Sequence, residues 1–237
     1  MNEHYLYLCV DFCCIIVPLV ASFHPAIKFY IHWRKYFPVM LSIAALFIVW
    51  DIYFTTAGIW SFNNRYLLGY YFFNLPIEEV AFFVCIPYAC MFTYYCFSIF
   101  LHPKFKSLNL GKFTLLLATL LMVIAVINYK CLYTSVTFSL LSITFFTIVY
   151  FSNSGFLPVF YLAYLANLIP FFISNGILTG SWIAEPVVKY NDSYNLQIRV
   201  LTIPAEDFFY GMLLQLANAA GFYYFLNRTT KDSVEEK

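Results

Sequence analysis

Seven apolar runs dominate the 237-residue chain, at roughly 5–22, 37–55, 77–99, 113–128, 132–151, 156–176 and 205–226. They are too long and continuous for strands. A helix of about 20 residues spans a bilayer and satisfies its own backbone hydrogen bonds. The sequence therefore predicts an all-α, polytopic membrane helical bundle of about seven transmembrane helices. Composition agrees: 62% of residues are hydrophobic and 11% charged, against about 45–50% and 25% in soluble domains. An ordinary soluble enzyme and a disordered chain are excluded. So is a nucleic-acid binder, because a net charge of +1 leaves no basic footprint.

Loop charge sets the expected orientation. One side collects Lys28, Arg34, Lys35, Lys104, Lys106, Lys112, Arg228, Lys231 and Lys237, and the other has Arg65, Lys130, Lys189 and Arg199. That places the C-terminus in the cytoplasm and the N-terminus outside, with all Lys and Arg in loops or in a charged, frayed tail over 227–237. The seven cysteines lie mostly inside apolar runs, where a thiol acts as a small hydrophobe. No spacing suggests a disulfide framework or a zinc site. No basic n-region precedes the first run, so no removable signal peptide is expected.

One pattern occurs twice. Gly58-Ile59-Trp60, a loop and Pro76-Ile77-Glu78-Glu79 are matched by Gly180-Ser181-Trp182, a longer loop and Pro204-Ala205-Glu206-Asp207. Two aromatic residues follow each doublet closely, Phe82-Phe83 and Phe208-Phe209. With seven spans, both copies point the same way, which predicts a parallel internal repeat about an axis along the membrane normal. The expected division is a first half over 1–105, a linking span over 106–131, a second half over 132–226 and the tail.

Charge placement is informative about chemistry. Asp11, Asp51, Glu78, Glu79, Glu206 and Asp207 lie in or at the edge of apolar runs, and no Lys or Arg lies inside one. An ionised acid at a helix centre costs roughly 2.5–3.5 kcal/mol on insertion scales. Such acids are therefore protonated, interfacial, or lining a polar cavity. A lone Pro-x-Glu-Glu is often only a good helix start, since proline is preorganised there and acids complement the dipole. Two copies in register favour function. Asp51 stands evenly between the two readings, and Asp11 is expected to be interfacial or hydrogen-bonded within the bundle. Paired carboxyls can hold one proton and accept another, and aromatic faces steady a cation by about 0.5–2 kcal/mol. Together they suit acid-initiated carbocation chemistry on an apolar, lipid-dissolved substrate.

Several alternatives lack their residues. No G-x-G-x-x-G fingerprint occurs. The four histidines form no H-x-x-x-H cluster, the last run has no Lys for a Schiff base, and Asn191-Asp192 is not followed by the second Asp of a diphosphate–magnesium motif. Gly176 and Gly180 form a G-x-x-x-G that suits helix packing.

The two doublets, with Pro186-Val187-Val188-Lys189-Tyr190-Asn191 running into Ile198-Arg199-Val200-Leu201-Thr202-Ile203-Pro204 and on to Phe208-Phe209-Tyr210-Gly211, resemble the membrane lycopene cyclases of the heterodimeric bacterial type. They resemble also the cyclase domain of fungal bifunctional proteins. The chain looks like a fused form with both halves. The resemblance implies a cofactor-independent, metal-free isomerisation in carotenoid biosynthesis. The acyclic ends of lycopene are protonated, close through a cation and lose a proton, giving β-ionone rings (β-carotene by way of γ-carotene). Carried over by motif position, Glu78, Glu79, Glu206 and Asp207 are the acid/base candidates, with Glu78 and Glu206 as the leading pair. Asp51, Trp60, Trp182, Phe82, Phe83, Phe208 and Phe209 are candidate supporting or substrate-binding residues. Arg199 is expected to reach the first turn of the seventh helix and hold one acid ionised. The expected partners are the membrane and lipid-dissolved lycopene, with possible association with other carotenoid enzymes, in a bacterial cytoplasmic membrane. Another carotenoid end-group enzyme (a longer-chain cyclase or a hydratase), a proton-coupled transporter and a non-catalytic assembly subunit stay open.

Overall fold

A computed structural model describes residues 3–152 and 154–235, with side chains to Phe225. The chain is predominantly helical. In order come α1 (Leu6–Ala21), α2 (Trp33–Thr56), α3 (Ile77–Phe100), the single turn α4 (Pro103–Lys106), α5 (Gly111–Ile127), α6 (Leu132–Phe151), α7 (Leu157–Leu178) and α8 (Ala205–Glu235). Among the described residues, five segments are long and apolar enough to cross a membrane: Glu3–Ala21, Phe29–Thr56, Ile77–Phe100, Leu132–Phe151 and Ser154–Leu178. Helix α5 is apolar but shorter. The architecture is that of an all-α membrane bundle. The tail expected over 227–237 lies beyond the described side chains.

Two expectations need correction. Helix α2 begins at Trp33, ahead of Pro38, so Arg34 and Lys35 occupy its first turn and not a loop. Pro38 then sits inside the helix, where it removes one backbone bond and crowds the Arg34 carbonyl, and Trp33 is anchored by donating from Nε1 to the Tyr88 hydroxyl at 3.1 Å. Lys112 likewise sits in the first turn of α5, and Lys104 and Lys106 lie on α4.

The loops between α2 and α3 and between α7 and α8 contain short strands. β1 (Trp60–Phe62) pairs antiparallel with β4 (Val188–Tyr190), matching Trp60 to Tyr190, Ser61 to Lys189 and Phe62 to Val188. β2 (Tyr71–Phe72) pairs with β3 (Leu75–Pro76), and β5 (Arg199–Val200) with β6 (Ile203–Pro204). The β1–β4 pair joins the two loops at one end of the bundle, from which α3 and α8 both start. The halves correspond closely here. Asn63 and Asn191 each accept from the backbone N–H two residues on, at 3.2 and 3.1 Å. Gly69 and Gln197 then take matching left-handed φ of 84° and 60°. The far end of the bundle is filled by an aromatic core that includes Phe29, Tyr36, Tyr88 and Phe222.

Candidate active site

Adjacent acids at a helix start point about 100° apart, because the helix has 3.6 residues per turn. The doublets divide accordingly. The first acid of each turns back to its own loop: Glu78 accepts from the Leu68 N–H and Glu206 from the Leu196 N–H, both at 2.7 Å. Glu206 also accepts from the Thr134 hydroxyl at 2.5 Å. Both acids are fully buried, and neither lines a cavity. Glu78 and Glu206, expected as the leading pair, therefore brace the loops against the helix starts. The second acids, Glu79 and Asp207, line one shared cavity of about 720 Å³.

Around each second acid the fold repeats its arrangement. The second residue of α1, Tyr7, donates to Glu79 at 2.5 Å, and the second residue of α6, Tyr133, donates to Asp207 at 2.6 Å. Near the end of α2, Asp51 lies within hydrogen-bonding reach of Glu79. Near the end of α7, Asn175 donates to Asp207 at 2.7 Å. The paired strands close the top: Trp60 donates to Asp51 at 2.5 Å and Tyr190 to Asp207 at 2.9 Å. Burial, then the charge of Asp207, pushes the Tyr190 phenol well above its usual range, so it stays a donor.

The halves differ in one decisive respect. Asp207 receives three hydrogen bonds and faces no acceptor partner, the arrangement of an ionised carboxylate. Asp51 and Glu79 are two carboxyls within hydrogen-bonding reach of each other, and a hydrogen bond between them requires a proton on one of the two. Among the described residues no Lys or Arg pairs with these acids; the ion pairs are Arg65–Glu3, Arg65–Glu185, Lys189–Glu185 and Arg199–Asp192.

An aromatic wall stands between the two acidic centres. Trp60 meets Tyr133 edge-on at 5.2 Å, Tyr133 stacks on Tyr190 at 5.9 Å, and Tyr210 lies 6.3 Å from Trp60. Tyr210 lines the cavity facing Asp51, Glu79 and Asp207. Phe82, at the equivalent position in the first half, also lines it. Phe83 is buried behind Phe82, Phe208 packs on Phe171 and Phe172, and Phe209 packs on Phe138 at 4.6 Å.

Two supporting roles are overturned. Trp182 is 71% exposed and covers Gly176 on the outside, away from the cavity. The longer second loop swings it out, and Tyr190 takes the place that Trp60 occupies in the first half. Arg199 does not reach the first turn of α8. It bonds Asp192 at 2.6 Å and the Thr202 carbonyl at 2.8 Å. A hydrogen bond from Asn195, and then Arg199, hold the Asp192 carboxyl below its ordinary range. Asp11 is not hydrogen-bonded within the bundle: it is 1% exposed and both carboxyl oxygens lack a partner. Sequence reasoning missed Tyr7, Tyr133, Asn175, Tyr190 and Tyr210. Among 21 tyrosines nothing local distinguishes Tyr7 and Tyr133, whereas Tyr190 and Tyr210 lie in the runs that carry the family resemblance, Tyr210 three residues past Asp207.

The family model for lycopene cyclase matches residues 4–97 and again residues 129–225. No curated protein and no solved structure matches the chain. The first matched segment holds α1 to α3 with Glu79, the second α6 to α8 with Asp207. With both segments present and covering most of its length, the chain belongs to the lycopene cyclase family, as a fused form carrying both halves.

Proposed function

We propose that the protein cyclises the acyclic ends of lycopene to β-ionone rings, without a cofactor, by shuttling one proton between its two acidic centres. The observation that carries this reading is the asymmetry of two otherwise matched centres facing one cavity: a pair of carboxyls close enough to share a proton, and a carboxyl supplied only with donors. The Asp51–Glu79 pair protonates the terminal double bond. The resulting cation is attacked by the neighbouring double bond, closing the ring and moving the charge to a ring carbon. Trp60, Tyr133 and Tyr210 face that charge, each at about 0.5–2 kcal/mol. Asp207 removes the proton from the adjacent carbon, leaving the ring double bond. One proton enters and one leaves, so substrate and product are isomers. Glu78 and Glu206 serve as structural braces in this scheme.

The same reading places seven helices across the membrane, with the halves 1–105 and 132–226 in parallel and 106–131 linking them. The site then lies beneath the outer face of a bacterial cytoplasmic membrane, and the C-terminus is cytoplasmic. The greater share of Lys and Arg at the end opposite the site supports this orientation.

The test is isotopic. Purified protein in detergent receives lycopene in heavy water with no added cofactor. The expected product is one mass unit heavier per ring formed, since the entering proton comes from an exchangeable carboxyl. No conversion, or conversion only with an added nucleotide, contradicts the reading.

A further inference from the structure

The cavity is shorter than the substrate proposed for it. From Glu79 to Thr93, the α3 residues lining it, it runs roughly 20 Å at about 1.5 Å per residue. An extended forty-carbon polyene is about as long as the roughly 30 Å hydrocarbon core. The floor is closed. Asn167 on α7 donates to Gln215 on α8 at 3.0 Å, and below them the aromatic core packs the bundle, with Tyr36 donating to the Pro87 carbonyl at 2.9 Å. A chain with its end at the acids has to leave sideways.

A side opening is present. Cys13 and Val17 on α1, and Pro170 and Ile173 on α7, line the cavity and are also exposed on the outside of the bundle. Val17 is 69% exposed and Ile173 57%. Their outward neighbours Phe12, Val20, Leu165 and Ile169 are large, apolar and exposed, so this mouth faces hydrocarbon. It lies six to ten residues along α1 from Tyr7, roughly 9–15 Å from the acids. That is about half the length of the polyene.

Resting on the cyclase reading above, we infer that the α1–α7 mouth is a lateral gate through which the site takes only one half of a linear polyene, leaving the distal half in the lipid and its end group unread. The substrate class is therefore any apolar polyene with one acyclic end, whatever the other end carries. The two ends of a symmetric substrate are cyclised in separate binding events, with the monocyclic product released between them.

Purified full-length protein is given lycopene and, separately, a polyene of equal length with one acyclic end and a bulky apolar cap at the other. The gate predicts kcat/KM values for the acyclic end within about threefold of each other. It also predicts that Val17→Trp and Ile173→Trp lower kcat/KM about tenfold, while Leu46→Trp, at an equally exposed residue on α2 away from the mouth, leaves it unchanged. Monodisperse elution separates a blocked gate from a misfolded variant. Conversion of lycopene with rejection of the capped polyene overturns the gate and leaves the cyclase reading standing. Wild-type rates in folded Val17→Trp and Ile173→Trp overturn it as well. Conversion of neither substrate overturns both.

Discussion

Glu78 and Glu79 are neighbours in sequence and opposites in role, because a step of one residue along a helix turns a side chain by about 100°. The same holds for Glu206 and Asp207. A Gln at position 78 keeps the side-chain carbonyl that accepts from Leu68, so Glu78→Gln is expected to retain cyclisation. Glu79→Gln and Asp207→Asn remove the proposed proton donor and the proposed base, and each is expected to lose about 10²–10⁴-fold in rate, the usual worth of a positioned acid or base. Tyr7→Phe leaves Glu79 with Asp51 alone and is expected to lower the rate while the fold persists. Asp11 belongs to a different category: buried, unpartnered and off the cavity. An acid without partners costs the bundle free energy, so Asp11→Leu is expected to raise the melting temperature in detergent and to leave turnover in place. The importance of the doublets was legible in the sequence, since acids without bases in apolar runs demand an explanation. Which acid faced the cavity was not, because the two candidate faces of the α3 and α8 starts are both buried and apolar around them.

The helices themselves were legible from their apolar runs; α6 begins and ends where its run does, at Leu132–Phe151. The hairpins were not. Strands of two or three residues are too short to show alternation, and the register of β1 on β4 is set between two distant loops. This pairing is what brings Trp60 and Tyr190 to the acids. Bracing acts at the same scale: Glu206→Ala leaves the Leu196 N–H and the Thr134 hydroxyl without their acceptor, at a cost of about 1–3 kcal/mol each when buried. The expected result is a lower melting temperature, measured in detergent, that Glu206→Gln largely restores. Close approach of α2 and α8 depends on Gly221, where a Cβ would come within 2.6 Å of Val39 Cγ1. Gly221→Ala is expected to destabilise the bundle and Val39→Ala to relieve it, a coupling read from the double-mutant cycle.

For the molecule as a whole, the repeat was visible as two Pro-x-acid-acid motifs, and the family match in two segments follows it. The Gly-x-Trp echo misled, because the longer second loop carries Trp182 outside and leaves Tyr190 to face Trp60. Each half supplies three helices and one acidic centre, and the loop between α3 and α5 carries neither. A chain divided in that loop and produced as two pieces is therefore expected to reassemble and retain cyclisation, with loss of activity if either piece is omitted. The proposed division of labour between the halves rests on one difference in their near-symmetry: an Asp51–Glu79 pair in one and an Asn175–Asp207 pair in the other. The most direct test is pigment chromatography of a lycopene-accumulating host expressing the wild type, Glu79→Gln, Asp207→Asn, Glu78→Gln or Glu206→Gln at matched protein levels. The account predicts cyclic product from the wild type and from the two first-acid variants, and unchanged lycopene from the two second-acid variants. Cyclic product from Glu79→Gln and Asp207→Asn at the wild-type level would contradict it.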